Sequence, residues 1–235
     1  AIQAEILHSG GAYADTPVNV TMAATHNCTG PYEFPNCDMV GYTVYTNTPA
    51  VGAYRGYGHQ EGQLASERLM DMLARKLNMD PWELREKNFL KEGRVNALGE
   101  KMWKTHGDIQ KCADIVKKKV YSKPQAKEDE NYYYGRGFAA VMKSPKGAPF
   151  SNKGCYMKMN IDGSVSVVMA GAEVGQGLRT GVRQVAAEAL KIPPEKVRVY
   201  TEIDTQFSTY EWQTNRSNVN TQGGRSSIRA ADKLN

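Results

Sequence analysis

Ala53-Tyr54-Arg55-Gly56-Tyr57-Gly58-His59-Gln60, preceded by Thr46-Asn47-Thr48-Pro49, is a glycine-punctuated loop that leads into an amphipathic helical pattern. Gly56 and Gly58 permit backbone conformations and approach distances closed to a residue with a Cβ. Arg55 supplies a fixed cation, and Tyr54 and Tyr57 supply flat aromatic faces. The stretch reads as a cofactor loop. An ordinary turn can have the same composition, so the pattern around it has to decide.

Before the loop, Val40, Tyr42 and Val44 alternate with polar or small neighbours, as a half-buried strand does. After it, Ala65, Leu69, Met72, Leu73 and Leu77 recur at helical spacing between 61 and 77, and this stripe is expected to be core. Asp80-Pro81-Trp82-Glu83 has an N-cap, a proline at the first helical position and an acid three residues on, with Gly93 placed as a C-terminal cap. A helix over 81–91 follows. Cys155, Met157, Met159 and Ile161 alternate, Asp162-Gly163 makes a tight turn, and Val165, Val167 and Met169 alternate again, which predicts a hairpin. Val182, Val185, Ala186, Ala189 and Leu190 mark a helix after Gly177, and Val197, Val199, Thr201 and Ile203 another strand. The fold class is α+β, in two mixed sheet-and-helix units divided at 130/131.

The 235 residues, 40% of them hydrophobic, are enough for a real core, and no apolar run approaches the roughly 20 residues that cross a bilayer. No signal-peptide order opens the chain, so cytoplasm is the expected compartment. Cys28, Cys37, Cys112 and Cys155 form no C-x-x-C pair, and His8, His26, His59 and His106 show no metal-ligand spacing. Any metal must therefore arrive on a cofactor. The formal charge is +5. Lys117, Lys118, Lys119, Lys123 and Lys127 cluster before Glu128-Asp129-Glu130, around Pro124, and read as a solvated linker rather than a nucleic-acid face.

Two further runs carry candidate chemistry. Gly175-Gln176-Gly177 lies between a strand and the first turn of a helix, where unpaired amides and the helix dipole favour anions. The two glycines would let an anionic group come against the backbone, and Gln176 has a donor and an acceptor for the polar edge of a ligand. Thr214-Asn215-Arg216-Ser217, continued by Asn218, Asn220, Thr221, Gln222, Gly223 and Gly224, is dense in short hydrogen-bonding groups before a helix expected over Ser226 to Leu234.

Taken in order, the loop, Glu67-Arg68-Leu69-Met70-Asp71, Asp80 to Arg85 with Asn88, Ala172-Glu173-Val174-Gly175-Gln176-Gly177, Asp204-Thr205 and Thr214 to Ala231 resemble the molybdenum-binding subunit of the xanthine dehydrogenase and aldehyde oxidase family, the molybdenum hydroxylases. The resemblance runs from Asn27-Cys28 through Pro31-Tyr32 and Pro35-Asn36 over almost the whole chain. It implies a molybdenum–molybdopterin dinucleotide, in the cytosine form, held by Arg55, Gly56, Gly58, Gly175, Gln176, Gly177, Thr214, Arg216 and Ser217. It implies that Tyr57, with Tyr54, faces substrate. Arg216-Ser217 stands in the opposite order to the family's Ser-Arg.

The chemistry implied is hydroxylation of an electron-poor carbon with oxygen from water, with electrons leaving through iron–sulfur clusters and FAD on other domains or subunits. The general-base glutamate and an upstream glycine-rich segment belong to a longer subunit. Neither is among these residues, so the chain reads as an excerpt or one piece of a split catalytic subunit. Family members acting on purines place an arginine before the loop, where Ala23 and Ala24 stand here, and carbon monoxide dehydrogenases place a cysteine where the loop has Gly56-Tyr57. Both substrates are disfavoured. An aldehyde or an aromatic N-heterocycle remains, beside the reductive phenol chemistry of some members. The alternative from another class is a non-catalytic assembly or cofactor-binding piece of a split complex.

Overall fold

The loop at 46–58 hangs from the carboxyl end of a parallel strand pair. The computed structural model describes residues 1–124, 131–143, 152–211, 213–215 and 217–234, which fall into two compact units, 1–143 and 144–235.

In the first unit, β1 (Ile2–Ser9) and β2 (Cys37–Val44) run parallel with Ile2 opposite Cys37 and Ser9 opposite Val44. Helix α1 (Pro17–Asn27) connects them and packs on one face of the pair. Its contact surface is polar and small. Thr21 Oγ1 donates to the Pro17 carbonyl and accepts from Thr43 Oγ1 on β2, and it lies 2.9 Å from His8 Nδ1 on β1. A Cβ at Gly41 would meet Thr25 Oγ1 at 2.3 Å, so the helix lies on β2 only because that position is glycine. The expected strand is present, yet Val40, Tyr42 and Val44 point outward; Cys37, Met39 and Thr43 are the more buried set.

Helix α2 (His59–Leu77) follows the loop directly. Its apolar stripe is not core: Leu69, Met72, Leu73 and Leu77 are 54%, 54%, 44% and 52% exposed, and Ala65 is exposed as well. The buried face is Gly62, Gln63, Ser66, Glu67, Met70 and Ala74. Two polar anchors explain the reversal. Gln63 accepts from Met142 N and donates to its carbonyl, gripping an extended segment by both backbone groups. Glu67 accepts from Arg85 Nε at 2.9 Å, from Ala140 N at 3.0 Å and from the Tyr32 hydroxyl.

Helix α3 (Pro81–Asn88) is capped by Asp80, which accepts from the Trp82 and Glu83 amides, as the sequence predicts. It stops at Asn88 rather than 91, because Phe89 leaves the helix to bridge Tyr32, while Gly93 bonds to Met102 instead of closing a helix. Fully buried Arg85 completes the centre, donating to Glu67, to the Glu67 and Pro81 carbonyls and to Asp71. Burial, then the hydrogen bond to Glu67 and its charge, hold the Tyr32 phenol far above its ordinary pKa. Trp82 stacks on Phe138 with centroids 3.7 Å apart.

Helix α4 (Ile109–Tyr121) carries Lys117, Lys118 and Lys119, so this part of the lysine cluster is helical and not a linker. Lys117 lies over the Trp82 ring and pairs with Glu86 at 3.4 Å; Lys127 lies outside the described residues. Residues 131–143 belong with the first unit, which moves its limit past the expected 130. Their contacts with Gln63, Glu67 and Trp82 are the reason.

The second unit is a three-stranded sheet of order β3 (Tyr156–Met159), β4 (Val165–Val168), β5 (Val197–Tyr200), antiparallel then parallel. The Asp162-Gly163 turn forms, with Asp162 accepting from Ser164. Met157 is buried, whereas Met159, beside the turn, and Ile161, within it, are exposed. Helices α5 (Leu178–Leu190) and α6 (Gly224–Leu234) close over Val165, Val167 and Val197, and burying Leu178 and Val182 contributes roughly 1.5–3 kcal/mol each.

Removing Glu67 strands a buried guanidinium, so Glu67→Ala is expected to destabilise the first unit by about 3–5 kcal/mol. Leu73→Ala, on the uncovered face, is expected to stay within about 0.5 kcal/mol. Urea unfolding followed by Trp82 fluorescence compares the two.

Candidate cofactor site

In the first unit, the loops that leave β1 and β2 are laced together at the carboxyl ends of the strands. Gly10 N donates to Val44 O, Ala12 N to Thr48 O, Thr46 N to Gly11 O and Val51 N to Gly10 O. Crevices at that end of parallel strands are where open α/β sheets bind ligands. Tyr54 stands 81% exposed, and Arg55 is exposed, with its carbonyl taken by Gln60 Nε2 at 2.9 Å. Tyr57 is half-buried at φ +56°, a left-handed conformation that a bulky residue adopts rarely and at a cost.

The two glycines have internal duties. Gly56 is at φ +110°, and a Cβ there would collide with the Gln60 side chain. Gly58, at φ +86°, lies against α1, where a Cβ would meet the Val20 carbonyl oxygen at 2.2 Å. Gly62, one turn into α2, repeats this with the Ala24 carbonyl at 2.4 Å. Gly58, expected to admit a cofactor, is thus buried and admits a helix.

In the second unit, Gly177 precedes α5 as expected, but the helix start is already filled. Glu173 accepts from the amides of Gly175 at 2.9 Å, Gly177 at 3.1 Å and Leu178 at 2.7 Å. Desolvation works to raise this carboxyl's pKa, and the amides of Gly177, Leu178, Gly175 and Gln176 outweigh it, leaving the pKa below the ordinary value. Gln176 is likewise committed: its Oε1 accepts from Val174 N and its Nε2 donates to Ala172 O. Each end of the Gln176 amide thus makes one bond that holds the loop and keeps a further lone pair and N–H. Gly175 and Gly177, at φ +92° and +73°, have open space where a Cβ would stand.

The segment 209–220 comes to this loop. Thr214 Oγ1 accepts from Ala172 N at 2.8 Å and donates to Glu211, which also receives Lys153, buried and bonded to the Gln213 carbonyl. Burial lowers the Lys153 pKa, against the opposing pull of Glu211. Thr214 is therefore a tie between segments. Ser217 sits exposed at φ +58°, and Arg216 lies outside the described residues. The later part of the run is helical: a π-helical turn, Val219–Gly223, leads into α6, which begins at Gly224 rather than Ser226. Such turns recur at functional sites. Just before it, Asn215 Oδ1 and Asn218 Nδ2 are buried without a hydrogen-bond partner. Leaving such an atom unmatched costs about 1–3 kcal/mol.

The pattern of molybdopterin cofactor-binding domains matches residues 1–89 and again 110–235. The chain belongs to the molybdopterin cofactor-binding domain family. It is 33% identical over 209 residues to xanthine dehydrogenase 1 of Arabidopsis thaliana, covering 85% of this chain and 15% of that protein. It is 31% identical over 208 residues to the aldehyde oxidoreductase of Megalodesulfovibrio gigas, covering 84% of this chain and 22% of the relative. The aldehyde oxidoreductase structure from Desulfovibrio gigas superposes with a TM-score of 0.78 at 24% identity, over 99% of this chain and 26% of that one. Quinoline 2-oxidoreductase from Pseudomonas putida 86 gives 0.75 at 24% identity, over 99% and 32%. The α+β fold is thus that of molybdenum hydroxylase metal-binding domains, and the chain spans 15–28% of the length of the curated relatives.

The second unit fits such a cofactor. Its loop backbone is open at Gly175 and Gly177, and it keeps buried amide atoms without partners beside that loop. Among the described residues no group of three His, Cys, Asp or Glu side chains could hold a metal by itself, and no helix is long and apolar enough to cross a membrane.

Glu173→Ala should free the α5 start, seen as faster hydrogen exchange at the amides of Gly175, Gly177 and Leu178. Because the folded pKa is lowered from 4.5, the carboxylate's contribution is present above that pH and is lost as pH falls through the folded value. The wild-type exchange rates, corrected for intrinsic pH dependence, should approach those of Glu173→Ala as the pH falls through that lowered pKa.

Proposed function

We propose that this chain is part of the molybdenum subunit of an oxidoreductase that hydroxylates an electron-poor carbon of an aldehyde or aromatic N-heterocycle, with water as the source of oxygen. The observation that carries the reading is the second unit's open glycine loop beside buried, unmatched amides, in a chain of the molybdopterin-binding family. The cofactor is a molybdenum–molybdopterin cytosine dinucleotide, and iron–sulfur and flavin partners take the electrons. When bound, the cofactor supplies the metal and the redox chemistry. This chain's residues bind and orient.

Gly175 and Gly177 give the cofactor backbone to lie against, with Ser217 and Arg216 on the adjoining segment. In the first unit Tyr57 shapes the pocket for the substrate ring, supported by its strained backbone at the carboxyl ends of β1 and β2; Tyr54 adds a second exposed ring, and Arg55 a cation. The relatives' names include xanthine dehydrogenases and an aldehyde oxidoreductase. Ala23 and Ala24, buried on α1, offer no cation to a purine and favour the aldehyde or heterocycle class.

The holoenzyme should contain molybdenum and a fluorescent pterin, release cytidine monophosphate on acid hydrolysis, and transfer oxygen-18 from labelled water into product. Absence of molybdenum and pterin would leave the assembly-piece reading.

Tyr57→Phe should keep ring substrates, whereas Tyr57→Ala should weaken their kcat/KM about tenfold, equivalent to about 1.4 kcal/mol, with molybdenum content unchanged. Steady-state kinetics on ring and straight-chain aldehydes separates this from a general loss of stability.

A further inference from the structure

We propose that Gln60 is a positioning residue for Tyr57: its carboxamide locks the peptide before Gly56 and so sets how strongly the enzyme prefers ring substrates to straight-chain ones. The inference deepens the reading of Tyr57 as a wall of the substrate pocket and rests on it.

Gly56, Tyr57 and Gly58 stand at φ +110°, +56° and +86°, so a tyrosine is held in the left-handed region between two glycines that share it. Such a conformation persists only where its surroundings over-determine it. The free joint in the loop is Gly56, since glycine has the widest choice of φ and ψ. Peptide groups are planar, so holding the plane on either side of a residue fixes both of its angles. Both planes beside Gly56 are held from the first turn of α2. Gln60 Nε2 donates to the Arg55 carbonyl at 2.9 Å. The His59 amide donates to the Gly56 carbonyl at 3.2 Å, and His59 Nδ1 lies 2.9 Å from the same oxygen. Tyr57 N then donates to Tyr54 O at 2.9 Å and closes the turn.

The two holders differ in what else they do. His59 is only 6% exposed, so replacing it disturbs packing as well. Gln60 is exposed, and its carboxamide lies over Gly56 where a Cβ would otherwise stand. It takes the place of a side chain on Gly56 and restrains the hinge without belonging to a core. Without its bond Gly56 regains freedom, and a ring substrate must then order Tyr57 at its own cost. A straight-chain aldehyde, with no ring to stack, is spared that cost.

The test is made on the holoenzyme. Gln60→Met keeps the length and removes the donor; Gln60→Glu keeps the shape and turns an acceptor towards the Arg55 carbonyl. In both, the ratio of kcat/KM for ring over straight-chain aldehydes is expected to fall about fivefold, within the roughly tenfold that loss of the Tyr57 ring itself costs. The change is expected in KM for the ring substrate, with kcat, molybdenum content and melting temperature held. Because Gln60 acts through Tyr57, adding Gln60→Met to Tyr57→Ala is expected to lower the ratio no further.

An unchanged ratio in both single variants, a loss that adds to that of Tyr57→Ala, or an equal loss on both substrate classes with early melting would overturn the role of Gln60. In each of these cases a loss of ring preference in Tyr57→Ala leaves the proposed function standing. A wild-type ratio in Tyr57→Ala itself would overturn the placement of Tyr57 at the substrate, and this inference with it.

Discussion

A carboxylate and a guanidinium buried against each other, Glu67 and Arg85, set the terms for the first unit. Ions taken out of water must have their remaining lone pairs and protons matched, or the arrangement fails. Tyr32, the Ala140 amide, Asp71 and the carbonyls of Glu67 and Pro81 do the matching. Those partners come from α2, α3, the turn before β2 and the extended segment ending at Met142. Satisfying one ion pair therefore brings distant stretches of chain together, and the Trp82–Phe138 and Tyr32–Phe89 stacks close around it.

The second unit uses charge in the same way, but at its loops. Lys153 and Glu211 draw Thr214 to the Ala172 amide, and Glu173 fills the start of α5. A loop whose own carboxylate already orders it has less conformational freedom to lose when a ligand arrives. The open glycine positions are then presented on a shaped surface.

Much of this was legible in the residues, and the exceptions share a cause. The Asp80 cap, the Asp162-Gly163 hairpin and the helix after Gly177 are local, and local chemistry determines them. The side of α2 that faces inward is not local: a stripe of leucines and methionines outranks Gln63 and Glu67 in any periodicity, until Arg85 and Met142 are placed opposite them. Helix α1 has little apolar periodicity, because beside Pro17 and Val20 its buried residues are threonines and alanines, and the Thr21 and Thr25 hydroxyls bond back to carbonyls four residues earlier. The alternation of Ile2, Ala4, Ile6 and His8 was a signal for β1 that could have been used. At the site, Glu173 stood beside the glycines in plain view, but its capture of their amides depends on the loop's curvature. The unmatched atoms of Asn215 and Asn218 have no sequence signature.

The glycine contacts between α1 and the start of α2 bear on mechanics. Backbone touches backbone at Gly58 and Gly62, with no layer of side chains between to yield by changing rotamer. Such a joint is stiff. A displacement of α1 along the sheet would be passed undiminished to the first turn of α2 and so to Tyr57 immediately before it, which makes the strand pair the reference frame for the position of that ring.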